Sequence, residues 1–402
     1  MAEAVQGRAG KLIDSYRESM VSMLSEMIGI KAVSPASGGD GEAERADFLE
    51  KKIRELGVEA KRYAYRDDSG VDRPSIVATY GSAERTLWLM PHMDTVSEGD
   101  LGLWKRDPFT AAVEGDMVYG RGTNDDGQDV VSSIFALKAL KELGPEPKFR
   151  LGLAIVADEE LGSRYGIEKL IEEPIFSKND MFIVPDSGNA EGTQIEIGEK
   201  GILWLRITVE GKQVHASTPE YGVNAKKLAA RFLLAADELL HSKYPAEDRV
   251  FNPPRSTFEM TKQEKNVDSI NIIPGKDVSY IDCRVLPQYR LDDIIADVRA
   301  LADRGEFKDA RIEVEAFNRE DPAPVSDRNS ILSKRLVSVL QSYGIEPRFE
   351  GIGGGTCAAF TRKKGMETVV WSKKDDIAHQ PNEYARISDM LLDTKVFTLM
   401  FL

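Results

Sequence analysis

The chain is short of the residues that mark secreted and membrane-spanning proteins. Among its 402 residues only Cys283 and Cys357 are cysteines, so a disulfide-rich secreted fold is excluded and a reducing compartment is the simpler interpretation. The sequence has no apolar run near the roughly 20 residues that a membrane span needs, and residues 1–10 hold no apolar signal-peptide segment. We therefore expect a cytoplasmic protein with no membrane partner.

Positive charge is also scarce. The chain has 53 Lys and Arg against 67 Asp and Glu, which gives a formal net charge of −14. Because a phosphate backbone is bound by a basic surface, nucleic acid is not an expected partner. The composition, 42% hydrophobic and 30% charged, is that of a globular protein, and the length favours about two domains.

Histidine is the third scarce residue, and its positions are informative. The four histidines are His92, His215, His241 and His379. Of these, His241 ends a helical pattern, where it can interact with the helix dipole. Potential metal ligands gather in five short stretches: PHMD at 91–94, GRGTNDD at 120–126, DEE at 158–160, PD at 185–186 and DDIAH at 375–379.

Strands and helices alternate over the first half of the chain, which predicts an α/β fold with a doubly wound, mainly parallel sheet. His92, the pair Glu159 and Glu160, and Asp186 each follow a strand-length run, so they should meet beyond the carboxyl edge of that sheet. The supporting patterns are apolar runs at 86–90, 151–156 and 181–184 and helical spacings at 11–30, 44–56 and 129–143.

The middle of the chain changes character. Alternating, half-exposed strand patterns combine there with two helical patterns and predict a small α+β domain with an open sheet, inserted near Glu199 and closed near Glu320. The strand patterns cover 203–210, 279–285 and 311–315, and the helical patterns cover 224–241 and 291–301.

Each ligand-type residue taken alone also fits a structural role. The alternatives are a turn histidine for His92, a helix N-cap for Asp125 or Asp126, an acidic helix start for residues 158–160, a turn aspartate for Asp186 and a surface histidine for His379. Together, however, these nitrogen and oxygen donors suit a pair of divalent ions such as zinc, cobalt or manganese.

Read in order, the motifs resemble those of the M20 family of dinuclear metallopeptidases and amidohydrolases. That family includes acetylornithine deacetylases, succinyl-diaminopimelate desuccinylases and carboxypeptidase G2-like enzymes. The matching stretches span nearly the whole chain: HxD at 92–94, GRGxxDD at 120–126, DEExGS at 158–163, PD at 185–186, GKQVHAS at 211–217, NIIPG at 271–275, GGGT at 353–356 and His379.

The resemblance implies two divalent ions per chain, zinc before cobalt or manganese. One ion would be held by His92 and Asp186 and the other by Glu160 and His379, with Asp125 as a bridge between them. In the family the peptide bond after the bridging aspartate is usually cis. Residues 1–197 and 319–402 would form the catalytic metal-binding domain, and the inserted domain, residues 198–318, would be a lid that also forms a homodimer.

The resemblance also assigns catalytic and substrate-binding roles. Glu159 would be the general base, Asp94 would orient His92, and His215 would stabilise the developing oxyanion, often across the dimer. A spacing of two residues on a strand also lets Asp94 reach the His92 ring. The residues implied to grip the substrate carboxylate are Asn271, Arg284, Gly354, Gly355 and Thr356. From the strand pattern alone, Arg284 equally fits a simple ion pair with a glutamate.

Two stretches depart from the family pattern. Relatives commonly carry Lys-Gly where this chain has Gly127-Gln128, so a local positive charge is expected to be lost. Small residues at 357–359 follow the GGGT stretch where several relatives have a larger side chain, which leaves the acyl preference open.

The expected function is hydrolysis of an amide bond in a small N-acyl amino acid or short peptide with a free carboxylate. A metal-bridged hydroxide would attack, with Glu159 as general base. The enzyme would be of the deacylase, carboxypeptidase or dipeptidase type. The alternatives are a metal-binding regulatory protein of the same fold that has lost catalysis, and an enzyme that uses a single metal.

Overall fold

The computed structural model describes residues 2–308 and 310–402, which divide into two compact units. The larger unit runs up to Ile197 and resumes over Ser326–Phe349 and Thr356–Leu402, and the smaller unit comprises Gly198–Val325 and Glu350–Gly355. The inserted domain was predicted from the sequence at 198–318; the smaller unit also takes in 319–325 and 350–355.

The described residues form α-helices in both units. They are α1 (Ala2–Asp14), α2 (Arg17–Ile28), α3 (Ala43–Glu55), α4 (Gln128–Leu143), α5 (Ile167–Leu170), α6 (Ala225–Lys243), α7 (Leu291–Ala302), α8 (Ile331–Ser342), α9 (Ala358–Lys363) and α10 (Ile387–Phe401).

The strands follow the same numbering. They are β1 (Ala60–Arg66), β2 (Asp72–Tyr80), β3 (Thr86–Leu89), β4 (Ala112–Glu114), β5 (Met117–Tyr119), β6 (Arg150–Ile155), β7 (Met181–Asn189), β8 (Gln194–Glu199), β9 (Gly201–Glu210), β10 (Val214–His215), β11 (Thr257–Gln263), β12 (Ile272–Ile273), β13 (Lys276–Val285), β14 (Arg311–Glu320), β15 (Arg348–Ile352), β16 (Glu367–Lys373) and β17 (Tyr384–Arg386).

An eight-stranded sheet with the order β1-β2-β6-β3-β7-β16-β8-β15 organises the larger unit. The α/β class predicted from the sequence is confirmed, but the sheet is mixed. Its central strands β6, β3, β7 and β16 run parallel, whereas β1, β2 and β8 pair antiparallel with their neighbours. The apolar runs of β3, β6 and β7 are buried because helices cover the sheet.

The helical pattern at 11–30 forms two helices, not one. The amide of Ser15 bonds to the carbonyl of Leu12 and the amide of Tyr16 to that of Ile13, so the last turn of α1 tightens and the helix ends. The Tyr16 hydroxyl then donates to Oε2 of Glu142 at 2.7 Å. This long-range contact therefore stabilises the break between α1 and α2, which the apolar spacing over residues 11–30 did not indicate.

The smaller unit contains a four-stranded antiparallel sheet with the order β11-β13-β9-β14. Helices α6 and α7 pack on one face of this sheet. The alternating side chains of β9 supply its core from Leu203, Leu205, Ile207 and Val209. The smaller unit therefore has the α+β open-sheet architecture that the alternating pattern indicated.

The cysteines and the helix lengths relate to the residue types that the sequence lacks. Cys283 and Cys357 are both free and buried. Within the described ranges, none of the helices combines the length and apolar character needed to cross a bilayer.

A buried arginine ties β2 to two other parts of the larger unit. Nε of Arg73 donates to Oε2 of Glu42 at 2.7 Å, and its Nη1 lies 2.9 Å from Oδ1 of Asp158. The side chains of all three residues are at most 3% exposed. Removing the cation would leave two buried carboxylates without their partner.

We expect Arg73→Met to lower the free energy of unfolding in urea by about 3–5 kcal/mol, because breaking a buried ion pair from one side leaves an uncompensated charge. Arg66→Met is the matched control on the neighbouring strand β1. The Arg66 side chain is 71% exposed and pairs with Asp72 at 3.0 Å, so its loss should cost less than about 1 kcal/mol. Equal losses in the two variants would contradict a special role for the buried cluster.

Candidate metal centre

The candidate ligands follow strands that lie side by side in the larger unit. His92 comes after β3, Glu159 and Glu160 come after β6, and Asp186 lies near the carboxyl end of β7. Because β6, β3 and β7 are adjacent and parallel, their carboxyl ends share one edge of the sheet. The structure therefore brings these four side chains together, where the alternation of strands and helices placed them.

His92 is buried among three carboxylates. Its Nε2 lies 2.9 Å from Oδ1 of Asp125 and 3.4 Å from Oδ1 of Asp186. On the other side of the ring, Nδ1 lies 3.1 Å from the carbonyl oxygen of Asp94 and 3.5 Å from its Oδ1. Nδ1 can thus donate toward Asp94 while Nε2 faces the cavity, which fixes the tautomer.

Asp125 presents one carboxylate oxygen to each of two histidines. Its Oδ1 lies 2.9 Å from Nε2 of His92, and its Oδ2 lies 3.0 Å from Nε2 of His379. Nε2 of His379 is also 2.9 Å from Oε2 of Glu160. A carboxylate in this position can bridge two cations.

Atoms that could donate to a metal form two overlapping groups that share His92. The donor atoms of His92, Glu159 and Asp186 all lie within 4.8 Å of one another, and so do those of His92, Asp125 and Glu160. Imidazole nitrogens and carboxylate oxygens at this spacing are a donor set that zinc and similar divalent ions accept. The side chains therefore fit a metal centre.

The charges in this cavity shift the pKa values of its acids and bases. Burial and the charge of Asp186 raise the pKa of Glu159 well above its usual range. Burial and the charge of Asp125 raise the pKa of Glu160 to about 7. Hydrogen bonds to Asp125 and Glu160 raise the pKa of His379 to about 10. A divalent cation would relieve this crowding of negative charge.

Asp94 supports two parts of the centre. Besides facing the His92 ring, its Oδ1 and Oδ2 accept the backbone amides of Glu159 and Glu160, each at 3.1 Å. The neighbouring Asp158, in a left-handed conformation with φ 64°, points instead to Arg73 at 2.9 Å. The two glutamates thus begin a short 3₁₀ helix, Glu159–Leu161, and Asp94 and Arg73 hold the DEE stretch from two sides.

Neither Asp125 nor Asp126 is a helix N-cap, the structural role that the sequence also allowed. Helix α4 begins after Gly127, without a side-chain capping bond. Oδ2 of Asp126 accepts the backbone amide of His92 at 3.2 Å instead. The peptide bond between Asp125 and Asp126 is cis, as the resemblance implied.

Sequence reasoning missed Glu383, which holds the loop that carries Asp125. Its Oε1 accepts the backbone amides of Asn124 at 2.9 Å and Asp125 at 3.1 Å. Its Oε2 accepts the amide of Gly122 at 3.1 Å and pairs with Nη1 of Arg121 at 2.6 Å. Glu383 lies four residues after His379, and only that closeness could have drawn attention to it.

Sequence reasoning also missed Lys374. The expected loss of positive charge at Gly127-Gln128 is offset, because Nζ of Lys374 lies 3.1 Å from Oδ1 of Asp126 and 2.8 Å from Oδ2 of Asp129. No sequence signal linked Lys374 to a loop that lies about 250 residues earlier in the chain.

His215 and Asn271, two of the other predicted residues, lie next to each other in the smaller unit. His215 is exposed, and its Nδ1 lies 2.7 Å from Oγ of Ser217. It pairs across strands with Ile272, directly after Asn271. The carbonyl of Asn271 accepts the amide of Ala216 at 2.9 Å.

Arg284 pairs with an aspartate, not with the glutamate that the strand pattern allowed. Its Nε donates to Oδ1 of Asp282 at 2.7 Å, and its Nη1 donates to the carbonyl of Gly353 at 2.9 Å. Arg284 therefore contacts the glycine-rich loop that contains Gly354 and Gly355. Thr356, the next residue, is buried in the larger unit.

Comparisons with known proteins agree on a metallohydrolase. Residues 88–402 match the model of peptidase family M20/M25/M40. An uncharacterized metallohydrolase of Methanococcus maripaludis is 37% identical, over 95% of this chain and 98% of its own length. A succinyl-diaminopimelate desuccinylase of Alkalilimnicola ehrlichii is 25% identical, over 92% of this chain and 95% of its own length.

The fold agrees as well. The crystal structure of human carnosine dipeptidase 1 has a TM-score of 0.76 and 18% sequence identity, and it covers 99% of this chain and 98% of its own. That likeness concerns the fold alone. Since the family model covers most of the chain and the archaeal relative exceeds 30% identity, the chain belongs to peptidase family M20/M25/M40, the family that its motifs predicted.

Proposed function

We propose that the larger unit binds two divalent ions and hydrolyses an amide bond in a small N-acyl amino acid or short peptide with a free carboxylate. The observation that carries the proposal is Asp125, whose two carboxylate oxygens lie 2.9 and 3.0 Å from Nε2 of His92 and of His379. His92 and Asp186 would hold one ion, Glu160 and His379 the other, and Asp125 both. Zinc is the proposed metal, with cobalt or manganese as substitutes.

The chemistry divides between the ions and the protein. When bound, divalent ions act as Lewis acids that acidify water and polarise a scissile carbonyl. Glu159 would take a proton from the attacking water and return it to the nitrogen of the leaving amine. Burial and the acidic neighbour Asp186 raise the pKa of Glu159, which supports a role in proton transfer.

Substrate and assembly are proposed from the family resemblance. The desuccinylase relative supports an N-acylated amino acid as substrate, and Arg284 supports binding of its carboxylate, since a guanidinium suits that group. Asn271, Gly354, Gly355 and Thr356 would complete this grip. We propose a cytoplasmic homodimer formed through the inserted domain, with His215 as the donor to the developing oxyanion.

The first test concerns Glu159. Glu159→Gln should lower kcat by about 10²–10⁴ on a panel of N-acyl amino acids and dipeptides, because a general base is lost. The metal content should stay that of the wild type, because Glu160 is the proposed ligand. Glu168→Gln, an exposed carboxylate on α5, is the control and should behave as the wild type.

Wild-type turnover by Glu159→Gln would remove this residue from the mechanism, and loss of metal would make it a ligand instead. No hydrolysis of any panel member by the wild-type protein loaded with zinc or cobalt would favour a binding protein that has lost catalysis.

The second test concerns His215. His215→Ala should lower kcat by about 10²–10³, typical for loss of one oxyanion donor, with a smaller change in KM and unchanged metal content. His241→Ala is the matched control, because His241 is also an exposed histidine of the smaller unit, and its Nδ1 lies near the carbonyl and the carboxylate of Asp237, one helical turn earlier.

Mixing His215→Ala chains with Glu159→Gln chains tests whether a site is shared between subunits. If His215 acts on the partner's site, heterodimers should recover part of the activity. No recovery in mixtures shown to contain heterodimers would leave His215 acting within its own chain. An equal loss of kcat in His241→Ala would remove the oxyanion role of His215.

A further inference from the structure

Lys374 is a buried cation behind the candidate ligands. It follows β16, is 6% exposed, and its Nζ makes three polar contacts. These are an ion pair with Asp126 at 3.1 Å, an ion pair with Asp129 at 2.8 Å and a hydrogen bond to the carbonyl oxygen of Asn124 at 3.1 Å. One ammonium group therefore serves two buried carboxylates and the backbone of the loop.

Two of these contacts flank the proposed bridging residue. Asn124 precedes Asp125 and Asp126 follows it, so Lys374 holds the chain on both sides of the carboxylate. Glu383 holds the same loop by accepting the amides of Asn124 and Asp125. The loop is thus fixed by an anion through its N–H groups and by a cation through its carbonyl and side chain.

Asp126, which pairs with Lys374, also binds the backbone of His92. While Oδ1 of Asp126 pairs with Lys374, its Oδ2 accepts the backbone amide of His92 at 3.2 Å. A shift of Asp126 would therefore displace the backbone of one proposed ligand and the peptide link to another. Lys374 touches neither ligand side chain itself.

The loop has no room for a cation of its own at residue 127. A Cβ atom on Gly127 would lie 2.2 Å from the carbonyl oxygen of Gly122, a separation that no side chain tolerates without a backbone shift. Gln128, the next residue, donates its amide to the carbonyl of Lys373 at 3.0 Å. In this chain the positive charge beside the loop is supplied by Lys374, after β16.

We propose that Lys374 is a positioning residue of the metal centre, which sets the affinity for the ions by holding Asn124 and Asp126 on either side of Asp125. The inference rests on the proposed function, because it needs the side chain of Asp125 to be a ligand. Lys374 would then have two separate effects. By balancing buried charge it would stabilise the fold, and by holding the loop in place it would raise the affinity for the metal ions.

The test compares three variants of the full chain with the wild type. Lys374→Met should raise the Kd for Zn²⁺, measured by competition with a chromophoric chelator, by about 10–100-fold, the usual effect of losing a residue that orients metal ligands. Lys373→Met is the matched control. Its Nζ pairs with Asp389 at 2.5 Å, away from the loop, so its Kd should equal that of the wild type.

The double variant Lys374→Met/Asp129→Asn separates the two effects. Removing one buried carboxylate restores the charge balance, so the Tm of the metal-free protein should return toward the wild-type value while the Kd stays raised. The double variant also allows the Kd to be measured if Lys374→Met alone does not fold. A wild-type Kd in Lys374→Met or in the double variant would overturn the proposal, as would an equal rise in Lys373→Met. Failure of the wild-type chain to bind Zn²⁺ would instead overturn the proposed function.

Discussion

The convergence of carboxylates at one sheet edge is the constraint on which the rest of the site depends. Asp125, Glu159, Glu160 and Asp186, each only partly exposed, approach two imidazoles, and their negative charges repel one another. Burial, and after it the charge of a neighbouring aspartate, raises the pKa of Glu159 and brings the pKa of Glu160 to about 7. Divalent cations are the partners that best relieve this repulsion, which links the electrostatics of the fold to hydrolytic chemistry.

Three buried charged side chains keep the crowded residues in place. Arg73 fixes Asp158 ahead of the two glutamates, Glu383 fixes the loop of Asp125 through its amides, and Lys374 fixes the other side of that loop. Glu383 also forms a buried ion pair with Arg121, and Lys374 with Asp126 and Asp129, so the support is largely electrostatic. The carboxylates can therefore be held close together although they repel one another.

The convergence of the candidate site residues could be predicted from the sequence because it depends on local pattern. Strand-length apolar runs ending in His92, Glu159 and Asp186 indicated one shared edge, whichever way the outer strands pair. The supporting residues were not predictable, since Lys374 and Glu383 contact a loop about 250 residues earlier. Long-range contacts also determine the antiparallel strands of the mixed sheet and the break between α1 and α2. The spacing of apolar residues contains no information on such contacts.

The central claim is that Asp125 bridges two metal ions, and anomalous diffraction at the zinc absorption edge from crystals of the zinc-loaded protein tests it most directly. The account predicts two zinc peaks per chain, about 3.5–4 Å apart. One oxygen of Asp125 should lie within about 2.0–2.2 Å of each peak, with His92 at one ion and His379 at the other. A single peak in fully loaded crystals, or two peaks of which Asp125 contacts only one, would contradict it.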